Sequence, residues 1–395
     1  MSNTLKIYML AIIGFIVGTS VYVVAGISDK IADSLDVSLT AAGQLVTVFS
    51  LAYAICTPII LVLTAKWGRR KLIMYSLGLF VVANILSFLS QNYGILIVAR
   101  MIMGIGAGLA IVTVLIISTK IAPPGKQASA IAIITMGLTS SLIIGVPIGR
   151  IMTNAFGWQS VFGGIALLGL IAMVVIYLII PDIEGDKPVS LHQQLALLKK
   201  RKVILGLSIT LFWLGGYSIA YTYLSPYLLN VSGISDKFLS TVLLIFGIAS
   251  LIGSKFGGFS TDRWGIPFTL TSTMTLHIVM LILLSFVTNS AVGVMLVLIL
   301  WSFSAWATAP TQQYLLATIE PESSAILLGL NQSIMQLAMA AGAGIGGIAV
   351  GNVSLAAVTW FGALGVAIAI AITLILSRSL SKKEAQDNSL KNANT

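Results

Sequence analysis

Two short stretches, "AKWGRRK" at 65–71 and "DRWGIP" at 262–267, decide how this chain is organised. Aligned, they pair Lys66 with Arg263, Trp67 with Trp264 and Gly68 with Gly265, at an offset of 197 residues in a chain of 395. Each is a basic, glycine-bearing loop after the second apolar segment of a set of six. The chain reads as one unit written twice, and two related halves around a central axis is a transporter architecture.

The segments around those loops settle the solvent. The chain is 57% hydrophobic and 9% charged, with mean hydropathy +1.03. A water-soluble protein of this length needs a mostly polar exterior, so lipid must cover most of this one. Counting apolar stretches of about 20 residues gives twelve, at 5–27, 40–63, 72–90, 94–118, 128–153, 158–180, 203–229, 238–259, 266–288, 290–314, 324–349 and 353–377. Barrel strands would be half that length and would alternate. The expected fold class is an all-α membrane protein of twelve transmembrane helices in two pseudo-symmetric six-helix bundles. A polar connection, "PDIEGDKPVSLHQQLALLKKRK" (181–202), separates the sets. It gives expected units of 1–181, a linker at 182–202, a second bundle at 203–378 and a tail at 379–395.

The net charge of +10 does not indicate a nucleic-acid partner, because the basic residues sit in short runs between apolar segments. With the N-terminus cytoplasmic, 18 of the 22 fall on the inner side, leaving Lys30 and Lys237 outside and Arg100 and Arg150 within segments. Both termini are expected inside a plasma membrane. No cleavable leader is evident, so the first segment is read as a retained span. A single cysteine, Cys56, and two histidines exclude an intramolecular disulfide, a metal cluster and a catalytic cluster. No cofactor and no enzyme activity are expected.

These residues resemble the major facilitator superfamily, and within it the twelve-helix drug:proton antiporter family. The resemblance rests on Gly258, Asp262, Arg263 and Gly265, which match a Gly-x-x-x-Asp-Arg-x-Gly loop signature. The first-half copy keeps Gly68 and Arg69 but has Ala65 where the acid usually stands. "LIVARMIMGIGAG" (96–108) is similar to the family's fourth-helix signature, with Arg100 as its arginine. "GLTSSLIIGVPIGR" (137–150) is similar to the fifth-helix antiporter signature through Gly137, Gly145, Pro147 and Gly149, and "FGWQSVF" (156–162) follows it. "GYSIAYTYLSPYL" (216–228) and "WSFSAWATAPTQQ" (301–313) are similar to the purine base/nucleoside and sugar efflux branches. The resemblance implies a loop latch at Asp262 and substrate-lining first and fourth helices in each half.

The residues allow the same reading on physical grounds. Small residues let helix backbones approach closely, and proline removes a backbone bond and permits a kink. A helix that bends during transport uses both. A charge deep in a span costs roughly 2.5–3.5 kcal/mol to insert, which makes Arg100 a functional candidate. Arg150, nearer a segment end, can snorkel to headgroups instead. His277 is expected to be packed or lipid-adjacent on a peripheral helix, and His192 lies in the central connection. Candidate substrate contacts are Tyr22, Arg100, Thr113, Trp213, Tyr217, Tyr221, Trp301, Trp306, Gln312, Asn331 and Gln336, since aromatic faces stack flat rings and amides bond heteroatoms.

None of the twelve acids lies mid-segment, and Val21 in "TSVYV" (19–23) stands where many relatives carry a carboxylate. A buried cation would therefore lack a counter-charge. The expected function is a secondary exporter of small, flat, neutral or weakly acidic compounds, purine base/nucleoside-like or drug-like, working as a monomer. Protons are the expected coupling ion, with Asp29 and Arg100 as coupling candidates. Sugar or broad multidrug efflux, or uncoupled facilitation, are the alternatives.

Overall fold

The protein is described by a computed structural model over residues 3–123, 127–181, 183–185, 196–320 and 323–393. Regular structure among these residues is helical, with twelve helices long and apolar enough to cross a membrane. The first half comprises α1 (Asn3–Leu35), α2 (Leu39–Leu63), α3 (Arg69–Phe88), α4 (Tyr93–Ile121), α5 (Gln127–Ser140), a π-helical turn (Ser141–Gly145), α6 (Val146–Phe156) and α7 (Gln159–Ile179). The second comprises α8 (Arg201–Tyr221), α9 (Leu224–Asn230), α10 (Asp236–Trp264), α11 (Ile266–Leu284), α12 (Ala291–Ile319), α13 (Ser324–Asn352) and α14 (Ala357–Ala393). Twelve crossings return the chain to the side it left. Both termini therefore share one end, the terminal end, opposite the far end. Of the central connection, Asp182, Lys187 and His192 lie outside the described residues, as does Lys126.

The repeat seen in the two loops recurs in the packing. In the first half α3 packs on α4, α2 on α4, α3 on α7 and α1 on α5. The equivalent pairs in the second half are α11 on α12, α10 on α12, α11 on α14 and α8 on α13. The halves meet through α2 against α13, and through the π turn and α6 against α10.

Local chemistry explains several boundaries. Ser38, Asn92 and Ser290 each accept a first-turn N–H, from Ala41, Ile95 and Gly293, and so start α2, α4 and α12 at the far end. The helix α1 extends to Leu35, well beyond the expected end at 27, with Asp29 buried near its end. Hydropathy alone ends the segment there because it cannot see that Asp29 has a partner. The expected seventh segment is divided at Thr222–Tyr223 into α8 and α9. In the fifth span Pro147 has no N–H to give, and the Val146 N–H bonds back to the Ser141 carbonyl, the i−5 spacing of a π turn. The glycines there serve close approach: a Cβ on Gly137 would run into the Ala11 carbonyl, and one on Gly145 into Thr19.

Contacts between the halves gather toward the far end. Thr40 donates to the Gly347 carbonyl at 3.0 Å and Thr47 to that of Ala340 at 3.3 Å, linking α2 to α13. Tyr223 fills the space that a side chain on Gly43 would occupy and donates to the Ala343 carbonyl at 3.2 Å. The far end is closed.

Candidate functional site

The second half brings a set of rings together at mid-span. Tyr217 and Tyr221, one turn apart on α8, stack with centroids 5.1 Å apart and planes 15° from parallel. Trp301 lies 5.7 Å and Trp306 6.2 Å from the Tyr217 ring, and the Trp306 Nε1–H donates to the Tyr217 hydroxyl at 3.4 Å. From the other half, Tyr22 on α1 meets Tyr221 at 6.3 Å and Trp306 at 6.4 Å, both edge-on. Tyr22 and Trp306 keep exposed surface although Tyr217, Tyr221 and Trp301 are buried. The two partly open rings thus meet each other where the halves touch, and the buried rings pack against them.

Two further side chains complete this nest, of which Phe246 is not among the sequence candidates. Phe246 on α10 packs against Tyr221 at 5.9 Å and Trp301 at 5.2 Å. His277 is packed, as expected, yet against this nest rather than lipid: it lies 6.3 Å from Tyr217 and 6.1 Å from Trp301, fully buried. Among the described residues neither imidazole nitrogen has a hydrogen-bond partner, and the same holds for Trp301 Nε1. Trp213, one turn from Tyr217 on α8, is buried with its Nε1 likewise unpartnered.

The amides form a second, polar layer nearer the terminal end. Gln312 donates to the Gly206 carbonyl at 2.7 Å and to Thr210 at 3.0 Å, and Thr210 donates to Asn331 at 2.8 Å. This ties α8, α12 and α13 together and occupies two of the candidate contacts with each other. Gln336 on α13 reaches across to Tyr53 on α2, leaving its own carbonyl oxygen without a donor. Thr113 is buried and bonded to the Leu109 carbonyl of its own helix.

Arg100 stands apart from the nest. It is fully buried, donates from Nη1 to the Ser20 carbonyl at 2.9 Å and from Nε to that of Leu45 at 3.3 Å. Its guanidinium lies 4.3 Å from the Phe49 ring centroid. Backbone carbonyls of α1 and α2 and an aromatic face supply what a carboxylate would otherwise give. Its Nη2 has no acceptor among the described residues.

Arg150 corrects the sequence reading. It does not snorkel: its side chain is 0% exposed and makes the densest charge cluster among the described residues. Nη1 donates to Asp29 at 2.5 Å and to the Gly26 carbonyl at 3.2 Å, while Nε donates to Asp236 at 3.1 Å and Nη2 to the same oxygen. Lys30 lies 3.0 Å from the second Asp236 oxygen. Asp236, the first residue of α10, is the one member from the second half. Segment counting missed the cluster because its four charges sit at the ends of three separate segments.

The repeated loops fold differently. At the second copy α10 runs through Asp262 and Arg263 to Trp264 and turns on Gly265, whose φ of +82° suits glycine alone. Asp262 and Arg263 are exposed, and nothing crowds Gly258. At the first copy Gly68 precedes α3 with ordinary backbone, and Arg69 is buried, donating to the Ala65 carbonyl at 3.1 Å. The Arg69 N–H bonds the Ile183 carbonyl at 2.7 Å, so the central connection is fastened to this loop.

Two pseudo-symmetric bundles, joined at one end and holding an aromatic nest between them, define the class as a membrane transporter of small molecules. Comparison agrees. The Major Facilitator Superfamily family model matches residues 10–343, and the chain belongs to that family. It is 65% identical over 387 residues to the uncharacterized MFS-type transporter YbcL of Bacillus subtilis (strain 168), covering 98% of this chain and 99% of the relative. A second relative from the same strain, the uncharacterized MFS-type transporter YtbD, is 28% identical over 98% of both chains. Among solved structures, a bacterial homologue of the human lysosomal transporter Spinster, inward-facing and unoccupied, superposes with TM-score 0.72 at 17% identity, covering 96% of this chain and 97% of that one. A mutant form of the nucleoside transporter NupG gives TM-score 0.77 at 13% identity, over 95% and 100%. These likenesses concern the fold.

Proposed function

We propose that the protein exports small, flat, uncharged or weakly acidic ring compounds, purine bases or nucleosides foremost, by alternating access of two halves, 1–181 and 203–378. The observation that carries this reading is the contact of Tyr22 with Tyr221 and Trp306 across the halves. A ring held there touches both bundles at once, so its binding can report on their relative position. Tyr217, Trp301, Phe246 and His277 hold the stacking faces in place from behind. The basic residues favour cytoplasmic termini in a plasma membrane, and the closed far end is then the outer one. Gly145, Pro147 and Gly149 act as the bend of the fifth span, with the π turn between packed segments. Asp29 and Arg100 are the coupling candidates if protons drive the cycle.

Counterflow in proteoliposomes with labelled bases, nucleosides, sugars and cationic drugs tests the substrate class. Bases or nucleosides should exchange and cations should not. Stacking on an aromatic is worth about 1–3 kcal/mol per base, so Trp306→Ala should weaken half-saturation roughly tenfold or more. Exchange of sugars alone, or an unchanged Trp306→Ala, would overturn the reading.

The loop latch gives a second test. Asp262 is exposed in this far-end-closed state, consistent with a contact made only when the terminal end shuts. Asp262→Asn should slow exchange with normal membrane expression, and should do so more than Ala65→Asp, because the first copy already uses Arg69 on a backbone carbonyl. Equal, near-normal exchange by both variants would remove the latch from the mechanism.

A further inference from the structure

We propose that Arg150 and Lys30 form a seat for a small free carboxylate at the far-end mouth, occupied in the closed state by Asp236 from the other half. The seat is built from the first half alone. Asp29 and the Gly26 carbonyl hold Nη1 of Arg150, which leaves the Nε and Nη2 edge turned toward α10. Asp236 lies on that edge as an anionic ligand would, one oxygen on the guanidinium and the other on Lys30. Its side chain is 40% exposed while that of Arg150 is 0% exposed, so the approach is open on the carboxylate's side only.

Charge counting makes the consequence definite. With Asp236 present the cluster holds two cations and two carboxylates and is neutral. Parting the halves at this end removes Asp236 and leaves two cations against Asp29, a net single positive charge around a buried guanidinium. Opening turns the Nε and Nη2 edge to the far-side solution with one carboxylate fewer beside it, and a planar guanidinium edge flanked by an ammonium matches a carboxylate in shape. A carboxylate from the far-side solution fills that edge in the open state and is excluded from the closed one. By linkage such an anion favours opening. The inference rests on alternating opening of the far end, and its test uses no substrate, so it can fail while the substrate reading stands.

Formate is the probe, exchanged for chloride at constant ionic strength, because chloride carries the same charge without the planar pair of oxygens. In a Cys56→Ala background, Leu243→Cys places a thiol in the buried α10 surface near Gly26 and Val146, where only far-end opening exposes it. Formate should raise its labelling rate roughly fivefold, and Arg150→Gln should abolish that rise. Asp236→Gly opens the seat permanently, and formate should then raise the melting temperature of the purified protein. Asp236→Ala serves if the glycine variant does not fold. An absent formate effect in both readouts, or one that persists in Arg150→Gln, would overturn the seat. Parallel reconstitution with and without phosphatidylglycerol separates the sources: labelling that responds to the anionic lipid and not to formate would also overturn it.

Discussion

Arg150→Leu is expected to destabilise the protein more than any other single change in the far-end cluster. The guanidinium has no exposed surface and four of its contacts are to Asp29, Asp236 and Gly26. Removing it leaves Asp29, whose side chain is 10% exposed, as a buried anion without its partner. Breaking a buried pair in this one-sided way costs about 3–5 kcal/mol. Asp236 is 40% exposed and can turn to water, so Asp236→Asn should cost only about 1 kcal/mol or less. The expected order of melting temperatures in detergent is wild type, then Asp236→Asn, then Arg150→Leu. Adding Asp29→Asn to Arg150→Leu should recover part of the loss, since the amide carries no charge. A melting temperature for Arg150→Leu equal to wild type would show that the cluster contributes no stability. Recovery by Asp29→Asn separates the electrostatic effect from lost packing of the arginine stem.

The second large effect belongs to Arg100. Arg100→Lys is expected to lose most transport, because lysine lacks the planar fork. The geometry adds a stability loss, because Nε and Nη1 point at carbonyls of two different helices and the planar group covers the Phe49 ring. A lysine ammonium cannot serve Leu45, Ser20 and a ring face together. Each hydrogen bond from a charged group is worth about 1.5–3 kcal/mol, and Arg100→Lys should forfeit at least one while still burying a charge. Arg100→Met removes the charge and fills the same volume, so its melting temperature should lie above that of Arg100→Lys. Exchange assays on the two variants then isolate the role of the charge itself. Loss of exchange in a well-folded Arg100→Met means the charge is used in transport. Wild-type exchange in that variant reduces Arg100 to a tie between α1, α2 and α4.

Much of the architecture is legible in the sequence because lipid imposes it. Twelve apolar stretches, a repeated Lys/Arg-Trp-Gly loop at half-chain offset and a polar connection between two sets of six leave little freedom. The helix packing then repeats as the loops do, α3 on α4 matching α11 on α12. Candidate residues on α8 and α12 could be gathered by helix number alone: Tyr217, Tyr221, Trp301 and Trp306 do meet. Helix number cannot say which face a residue takes. Gln312 and Asn331 turn to Thr210, and Arg100 turns to two backbone carbonyls, away from the rings.

Composition, periodicity and the repeat determine by themselves that this chain crosses the membrane twelve times as two related bundles, since both the cost of exposing polar backbone to lipid and the span length act segment by segment. Tertiary structure alone decided what its charges do. Arg150, Asp29, Lys30 and Asp236 belong to three helices and, taken singly, each looks like a segment-end residue near headgroups. The sum of their charges, the burial of one and the exposure of another exist only once α1, α6 and α10 are brought side by side. Electrostatic energy depends on distances through space and on the surrounding dielectric, neither of which sequence separation records.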